Sequence, residues 1–275
     1  MAIQPVKSGG KHVFKDGDIL AEMENVHVKK VASNGWAVLD DELVQAWTEE
    51  AKRDSELDDC NADITYTEVI RTFDSGSNTP GPDGVSATMI DKADRVLMTE
   101  CLLRLWSKVW STSDLPNMWK LEHRILLPKP GKENYNECSS YRTISITDIL
   151  GKRLEKIISA RLVCTLEDHD FDDCQFAYLK KRSSTQAVLA LVEMITKNTL
   201  NGKATGVVFF DFSDAFGSVN RVKLLHKLKL DFGISGRLWS YIVSFLSGRM
   251  ARIQVNHLVG EWLESLYGTS AATIC

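Results

Sequence analysis

Ile90, Ala93, Val96, Leu97, Cys101, Leu105 and Val109 recur at helical spacing with Trp106 and Trp110 alongside, which predicts a buried helix running to residue 110. A second apolar stripe, Ile149, Leu150, Leu154, Ile157, Ile158, Leu162 and Leu166, predicts another helix capped by Thr147 or Asp148, with Lys152, Arg153 and Lys156 on its opposite face. Ser183 or Ser184 caps a third, whose Val188, Leu191, Val192 and Ile195 are expected to face inward. Two more helices follow over about 221–229 and 235–247, the latter burying Leu238, Tyr241, Ile242 and Phe245. Between the helices lie short β-like runs. RILLP (124–128) and RTISI (142–146) flank the turn-rich KPGKENYNECSSY and predict a long hairpin carrying Lys129, Lys132 and Arg142. RIQVN and WLESLYG add strands near the C-terminus, and GVVFFDF (206–212) is apolar enough to predict a central strand buried on both faces.

Two stretches interrupt this alternation. Residues 1 to about 60 are polar and acidic, with few apolar anchors beyond Leu43, Val44 and Trp47, and predict a loosely packed lead-in with one helix. The loop SGSNTPGPDG (75–84) is dense in turn residues, and its two prolines lack backbone donors. It divides the chain into a lead-in, 1–74, and a main α+β domain, 75–275. No Gly-Lys-Ser/Thr follows its glycines, so it is not a P-loop.

Composition narrows the partners. With 44% hydrophobic residues the 275-residue chain can bury a core. Its longest apolar runs fall short of the roughly 18 residues a membrane span needs, and no membrane partner is expected. The six cysteines form no CxxC pair, which points to reduced thiols in an intracellular protein. Charge is unevenly spread: residues 1–100 hold 10 Lys and Arg against 20 Asp and Glu, residues 101–275 hold 23 against 17. The second part is therefore open to a polyanionic partner despite the overall −4.

The apolar run 206–210 ends on Asp211. A carboxylate at the end of a buried strand is either a structural acid or a ligand for a hard cation, which takes oxygen donors. Phosphatases with an aspartyl nucleophile carry a second Asp two positions on; here that position is Ser213, and Asp214 comes one too late.

The ordered blocks PGPDG (80–84), LPNMWK (115–120), ILLPKPGK (125–132), YRTISITDILGKRLEKII (141–158), QFAYLKKRSST (175–185) and FFDFSDAFGSVNRVKLLHKL (209–228) resemble the fingers and palm of a non-LTR (LINE-type) retrotransposon reverse transcriptase. The resemblance implies a right-hand polymerase fold, with fingers and part of the palm. It makes Asp211 a catalytic ligand of two Mg2+ ions, with a further contact from the backbone carbonyl of Phe212. Phe216 becomes the aromatic that excludes a 2′-hydroxyl, and the amides of Asp214 and Ala215 face the triphosphate. Arg142, with Lys129 or Lys132, neutralises its phosphates, and Lys180, Lys181 and Arg182 lie near the template. The implied partners are an RNA template, a DNA primer and deoxynucleoside triphosphates; the resemblance gives no oligomeric state.

Departures qualify it. The family usually has Asp where Gly217 stands, Pro where Thr143 stands, and Gly-Phe-Arg where Ala177, Tyr178 and Leu179 stand. GTSAAT (268–273) replaces a Gly-x-Pro-Gln-Gly-Ser block, with Ala271 in place of glutamine. The hairpin bearing two adjacent aspartates and the thumb that follows it are expected to be absent from these 275 residues. The 275-residue chain is therefore expected to be inactive alone. The alternative is an RNA-binding remnant without chemistry, or a decayed element.

Overall fold

The computed structural model describes residues 3, 6–8, 11–13, 15–27, 41–53, 60–74, 78–167, 172–212 and 214–269. In chain order these form β1 (Val6–Ser8), β2 (Lys11–Val13), α1 (Asp16–His27), α2 (Asp41–Arg53), α3 (Tyr66–Ile70), α4 (Ala87–Asp91) and α5 (Arg95–Thr112). Then come β3 (Leu121–Pro128), β4 (Tyr141–Ile146), α6 (Ile149–Glu167), α7 (Ser184–Leu200), α8 (Arg221–Leu230), α9 (Gly236–Leu246), β5 (Met250–Val255), β6 (Leu258–Val259) and β7 (Leu263–Glu264). Helices and a small mixed sheet make an α+β architecture. Among the described residues no helix is long and apolar enough to cross a membrane.

The sheet runs β4-β3-β5-β6, with β7 also on β5. The expected hairpin is present as antiparallel β3 and β4, Leu127 opposite Arg142. β5 joins β3 in parallel, which requires the long helical crossover between them. One side of the sheet is covered by α1: Ile19 and Met23 bury against Leu126, Tyr141, Ala251, Ile253 and Val255. Trp106, Trp110, Trp119 and Trp239 anchor the larger core, shared by α2, α3, α5, α6, α8 and α9.

Within the described part of the expected loosely packed lead-in, Val6, Ile19 and Met23 join the smaller core and Ala51, Ile64, Val69 and Phe73 the larger one. Trp47 on α2 sits 5.7 Å from Trp239 and 5.1 Å from His226 between ring centroids. Two widely spaced aromatic or aliphatic anchors suffice when each meets a complementary face, and burying one such ring contributes on the order of 2 kcal/mol.

The helix through residue 110 forms, but its inward face differs from the expected one. Asp94 caps α5 by accepting a hydrogen bond from Leu97 N at 2.8 Å. Thr99, Leu102, Trp106, Val109 and Trp110 are buried, whereas Val96, Leu97 and Cys101 are exposed. Two tryptophans outweigh the smaller residues, and Trp110 Nε1 also needs the partner it finds at Ala62 O, 2.9 Å away. On α6 the predicted stripe is buried at Ile149, Leu154, Ile157 and Ile158. Arg153, expected on the solvent face, is instead buried and paired with Asp91 at 2.6 Å.

Glu122 on β3 ties these layers together. It is buried, and its Oε1 accepts from Arg249 Nε at 2.7 Å. Its Oε2 accepts from Arg124 Nη2 at 3.1 Å and from Ser145 Oγ at 3.1 Å. Burial alone would raise the carboxyl pKa, but the Arg249 and Arg124 charges overrule it and bring it down to about 2. The folded value is depressed, so this acid stabilises the fold above its unfolded value near 4.5 and loses that contribution as pH falls toward 2. Glu122→Ala removes the counter-charge of the buried Arg249 and the partly buried Arg124 and is expected to cost about 3–5 kcal/mol in urea unfolding at pH 7, with most of the deficit gone near pH 2.

The PGPDG loop is fastened to the start of α6. Asp148 is buried, and its Oδ1 accepts from Asp83 N at 3.3 Å. A Cβ at Gly81 would overlap the Asp148 carboxylate and backbone, so the loop closes only on glycine there. Burial, then the neighbouring Asp83 carboxylate, pushes Asp148 up to about 6. Its folded pKa lies above the unfolded value near 3.8, so ionisation destabilises the fold progressively above that value, with the full cost reached once pH passes 6. Asp148→Asn is expected to raise the melting temperature over wild type at pH 8 and to bring much less gain at pH 4.

Candidate functional site

Residues 206–212 do not form the expected central strand. They run outside the sheet, and Phe209, Phe210 and Phe212 are 83%, 86% and 81% exposed. An apolar run becomes a buried strand only where neighbours supply ladder bonds and cover its faces, and the sheet path among the described residues does not include it. Asp211 is accordingly exposed, its charge hydrated rather than buried. α7 shares this openness. Ser183 caps it, its Oγ accepting from Gln186 N at 3.3 Å, yet none of its residues is buried. Leu191 and Ile195 are half-buried, and Val188 and Val192 are exposed, which corrects their expected inward packing.

After Asp211 the chain becomes pinned. Asp214 adopts φ 51°, and Ser218 N donates to Asp214 O at 3.0 Å, closing one turn around Ala215 and Phe216. Asn220 caps α8 by accepting from Lys223 N at 2.8 Å. Arg221, buried at the helix start, donates from Nε to Gly268 O at 2.8 Å, from Nη1 to Leu246 O at 2.9 Å and from Nη2 to Tyr267 O at 3.2 Å. Its partners are neutral carbonyls, and burial with the nearby Arg249 charge lowers its pKa to about 10, which leaves it charged at neutral pH. The 265–269 segment returns the grip: Gly268 N donates to Val219 O at 2.9 Å and Thr269 N to Phe216 O at 3.0 Å.

Gly217, where the resembled family usually has Asp, lies against this seam. A Cβ there would come 2.5 Å from both Asp214 carboxylate oxygens. Gly268 has φ +79°, and a Cβ on it would meet Gly217 Cα and carbonyl O at 2.9 Å. Ala271 and the rest of GTSAAT from 270 onward lie outside the described residues, as does Ser213.

The sequence-predicted residues divide into two places. Phe216 meets Tyr178 edge-on, ring centroids 6.5 Å apart at 89°, so the turn after Asp211 touches the 178–182 loop. Lys180 and Lys181 are exposed in that loop, with Lys181 at φ 62°. Arg182 holds the loop together, donating from Nη1 to Asp172 O at 2.8 Å, Gln175 O at 2.8 Å and Asp173 O at 3.1 Å. Lys129 and Arg142 sit at the turn end of the β3–β4 hairpin. Arg142 is exposed, while Lys129 Nζ donates to Ser139 O at 2.9 Å. Lys132 is exposed in the connecting turn.

As a magnesium site, Asp211 and the Phe212 carbonyl offer only part of an oxygen donor set. Among the described residues no group of three or more His, Cys, Asp or Glu could hold a metal ion. Two ions need several carboxylate oxygens, so the donors present do not fit a metal pair. Arg221 and Tyr178 are the participants that sequence reasoning missed. The position of Arg221 directly after the Asn220 cap carries no signal of its own, because its role consists of contacts to residues some 25 to 47 positions away.

Residues 127–266 match the reverse transcriptase (RNA-dependent DNA polymerase) family. The chain is 28% identical over 198 residues to a retrovirus-related Pol polyprotein from a type-1 retrotransposable element of Bradysia coprophila, covering 71% of this chain and 18% of that protein. It is likewise 28% identical over 198 residues to a probable RNA-directed DNA polymerase from transposon BS of Drosophila melanogaster, 70% of this chain and 21% of that protein. Over 156 residues it is 26% identical to the RNA-directed DNA polymerase from mobile element jockey of Drosophila melanogaster, 56% of this chain and 17% of that protein. The chain thus spans about a fifth of the length of these curated relatives.

Gly268→Ala tests the seam. Positive φ and contact with the Gly217 backbone predict a loss of about 1–3 kcal/mol in chemical unfolding. Faster proteolysis within 211–219 is expected with it, whereas Gly84→Ala, in open space at a similar φ, costs less.

Proposed function

The chain belongs to the reverse transcriptase (RNA-dependent DNA polymerase) family, and from that premise we propose that it is the template-engaging portion of a non-LTR retrotransposon RNA-directed DNA polymerase. The observation that carries this reading is the Phe216–Tyr178 contact, which joins the turn after Asp211 to the basic 178–182 loop. In this reading Lys180 and Lys181 meet the phosphates of the RNA template, and Arg182 keeps their loop in shape. Phe216 lies under the incoming sugar, with the amides of Asp214 and Ala215 toward the triphosphate. Arg142 and Lys129 approach the same phosphates from the hairpin, where Lys129 would exchange its bond to Ser139 for the ligand.

Nucleotidyl transfer in this family is generally dependent on divalent metal, which stabilises the charge developing on the attacking and leaving oxygens. Asp211 and the Phe212 carbonyl are the residues here suited to such an ion. Among the described residues Asp211 is the one carboxylate of that donor pair, too few for two ions, so we derive no turnover for the 275-residue chain. The exposed face of 206–212 and α7 is where further palm elements would dock, burying the three phenylalanines and completing the donor set.

The test pairs binding with chemistry. The 275-residue protein should bind a primed RNA template in fluorescence anisotropy, with affinity falling steeply with salt. Lys180→Ala/Lys181→Ala should weaken it several-fold, and no magnesium-dependent primer extension should be seen. Failure to bind at low salt would sink the template-engaging role, and extension by the pure chain would sink the incomplete-site reading.

A further inference from the structure

A cleft of about 590 Å3 opens between α3 and α6, formed by residues distinct from the 178–182 loop. Its size lies in the range of ligand sites. Three cations line it, Arg71, Lys156 and Arg161, against one acid, Glu68. Arg161 is committed: its Nε and Nη2 pair with Glu68 at 2.8 and 2.9 Å, its Nη2 also donates to Asp63 O at 3.0 Å, and its guanidinium stacks over Trp110 at 5.2 Å. Arg71 and Lys156 are exposed, and neither side chain has a hydrogen-bond or ion-pair partner among the described residues. Glu68 being answered by Arg161, the cleft presents two positive charges with no acid paired to them among the described residues.

The remaining lining decides what kind of anion fits. Thr72 Oγ1 donates to Val69 O at 2.7 Å and Thr165 Oγ1 to Arg161 O at 3.1 Å, so both hydroxyl protons are spent inside the protein. Among the described lining residues, Arg71 and Lys156 keep free donors. Among the described residues no aromatic side chain lines the cleft, and its apolar lining is Ile157 and Ala160, so these residues offer a base no ring to stack on. Charged donors without stacking or neutral hydroxyl donors suit a repeating phosphate backbone and carry no sequence information.

We propose that this cleft is a second RNA-contact surface, where Arg71 and Lys156 engage successive phosphates of the RNA backbone outside the 178–182 loop. It rests on the reading that the chain engages an RNA template. The cleft also supplies its own reporter: Cys164 lines it and is an exposed free thiol, while Cys101, exposed on α5, does not line it.

The experiment uses the 275-residue protein and a short fluorescein-labelled oligouridine. Arg71→Ala/Lys156→Ala, both surface changes, should leave the melting temperature nearly unchanged. It should reduce the slope of log affinity against log salt by about 1.4, two phosphate contacts at about 0.7 each for a single strand. The same RNA should slow alkylation of Cys164, followed by peptide mass spectrometry, and leave Cys101 unaffected. An unchanged slope together with unprotected Cys164 overturns the proposal. If Lys180→Ala/Lys181→Ala alone weakens binding, the second surface falls while the template-engaging reading stands. If the wild type binds no RNA at low salt, both fall.

Discussion

A single buried carboxylate, Glu122, decides how the layers of this protein meet. It lies on β3 and receives Arg249 from the entry to β5, Arg124 from its own strand and Ser145 from β4. Ser265, reached by Arg124 at 2.9 Å and by Arg221 at 3.4 Å, extends the network to α8. Desolvating these charges costs several kcal/mol per ion, which only close geometry offsets. The network therefore contributes more to placement than to net stability: a small shift of β5, α8 or the 265–269 segment leaves a buried ion without its partner.

That constraint reaches the candidate site through Arg221. Its contacts with the carbonyls of Leu246, Tyr267 and Gly268 hold the base of α8, and the bonds from Gly268 and Thr269 hold the turn containing Phe216. The site thus has a fastened side and an open side. Asp214 to Asn220 are anchored to the core, whereas 206–212 and α7 expose their apolar residues and carry little packing. Segments with few buried contacts open at low free energy, so the open side is the part most readily rearranged by whatever docks there.

Asp211 sits where these two sides join. In its exposed setting water solvates the carboxylate. Covering 206–212 would remove that water and make a cation the natural partner for the charge. By contrast, the basic loop at 178–182 and the hairpin carrying Arg142 are already built, one by the Arg182 contacts with backbone carbonyls and the other by the β3–β4 register.

Much of this was legible in the amino-acid order. Local periodicity determined the helices from Arg95, Ile149, Arg221 and Gly236 and the β3–β4 hairpin, because those elements depend on neighbours three, four or two positions away. The block order from PGPDG to FFDFSDAFGSVN likewise carried the family resemblance and the position of Asp211. The tertiary structure alone decided which face of α5 turns inward, that Arg153 is buried against Asp91, that α1 and α2 of the acidic first segment pack on the two cores, and that 206–212 stays outside the sheet. Each depends on a partner distant in sequence, and an apolar run states only that it can be buried, while strand pairing and packed neighbours determine whether it is.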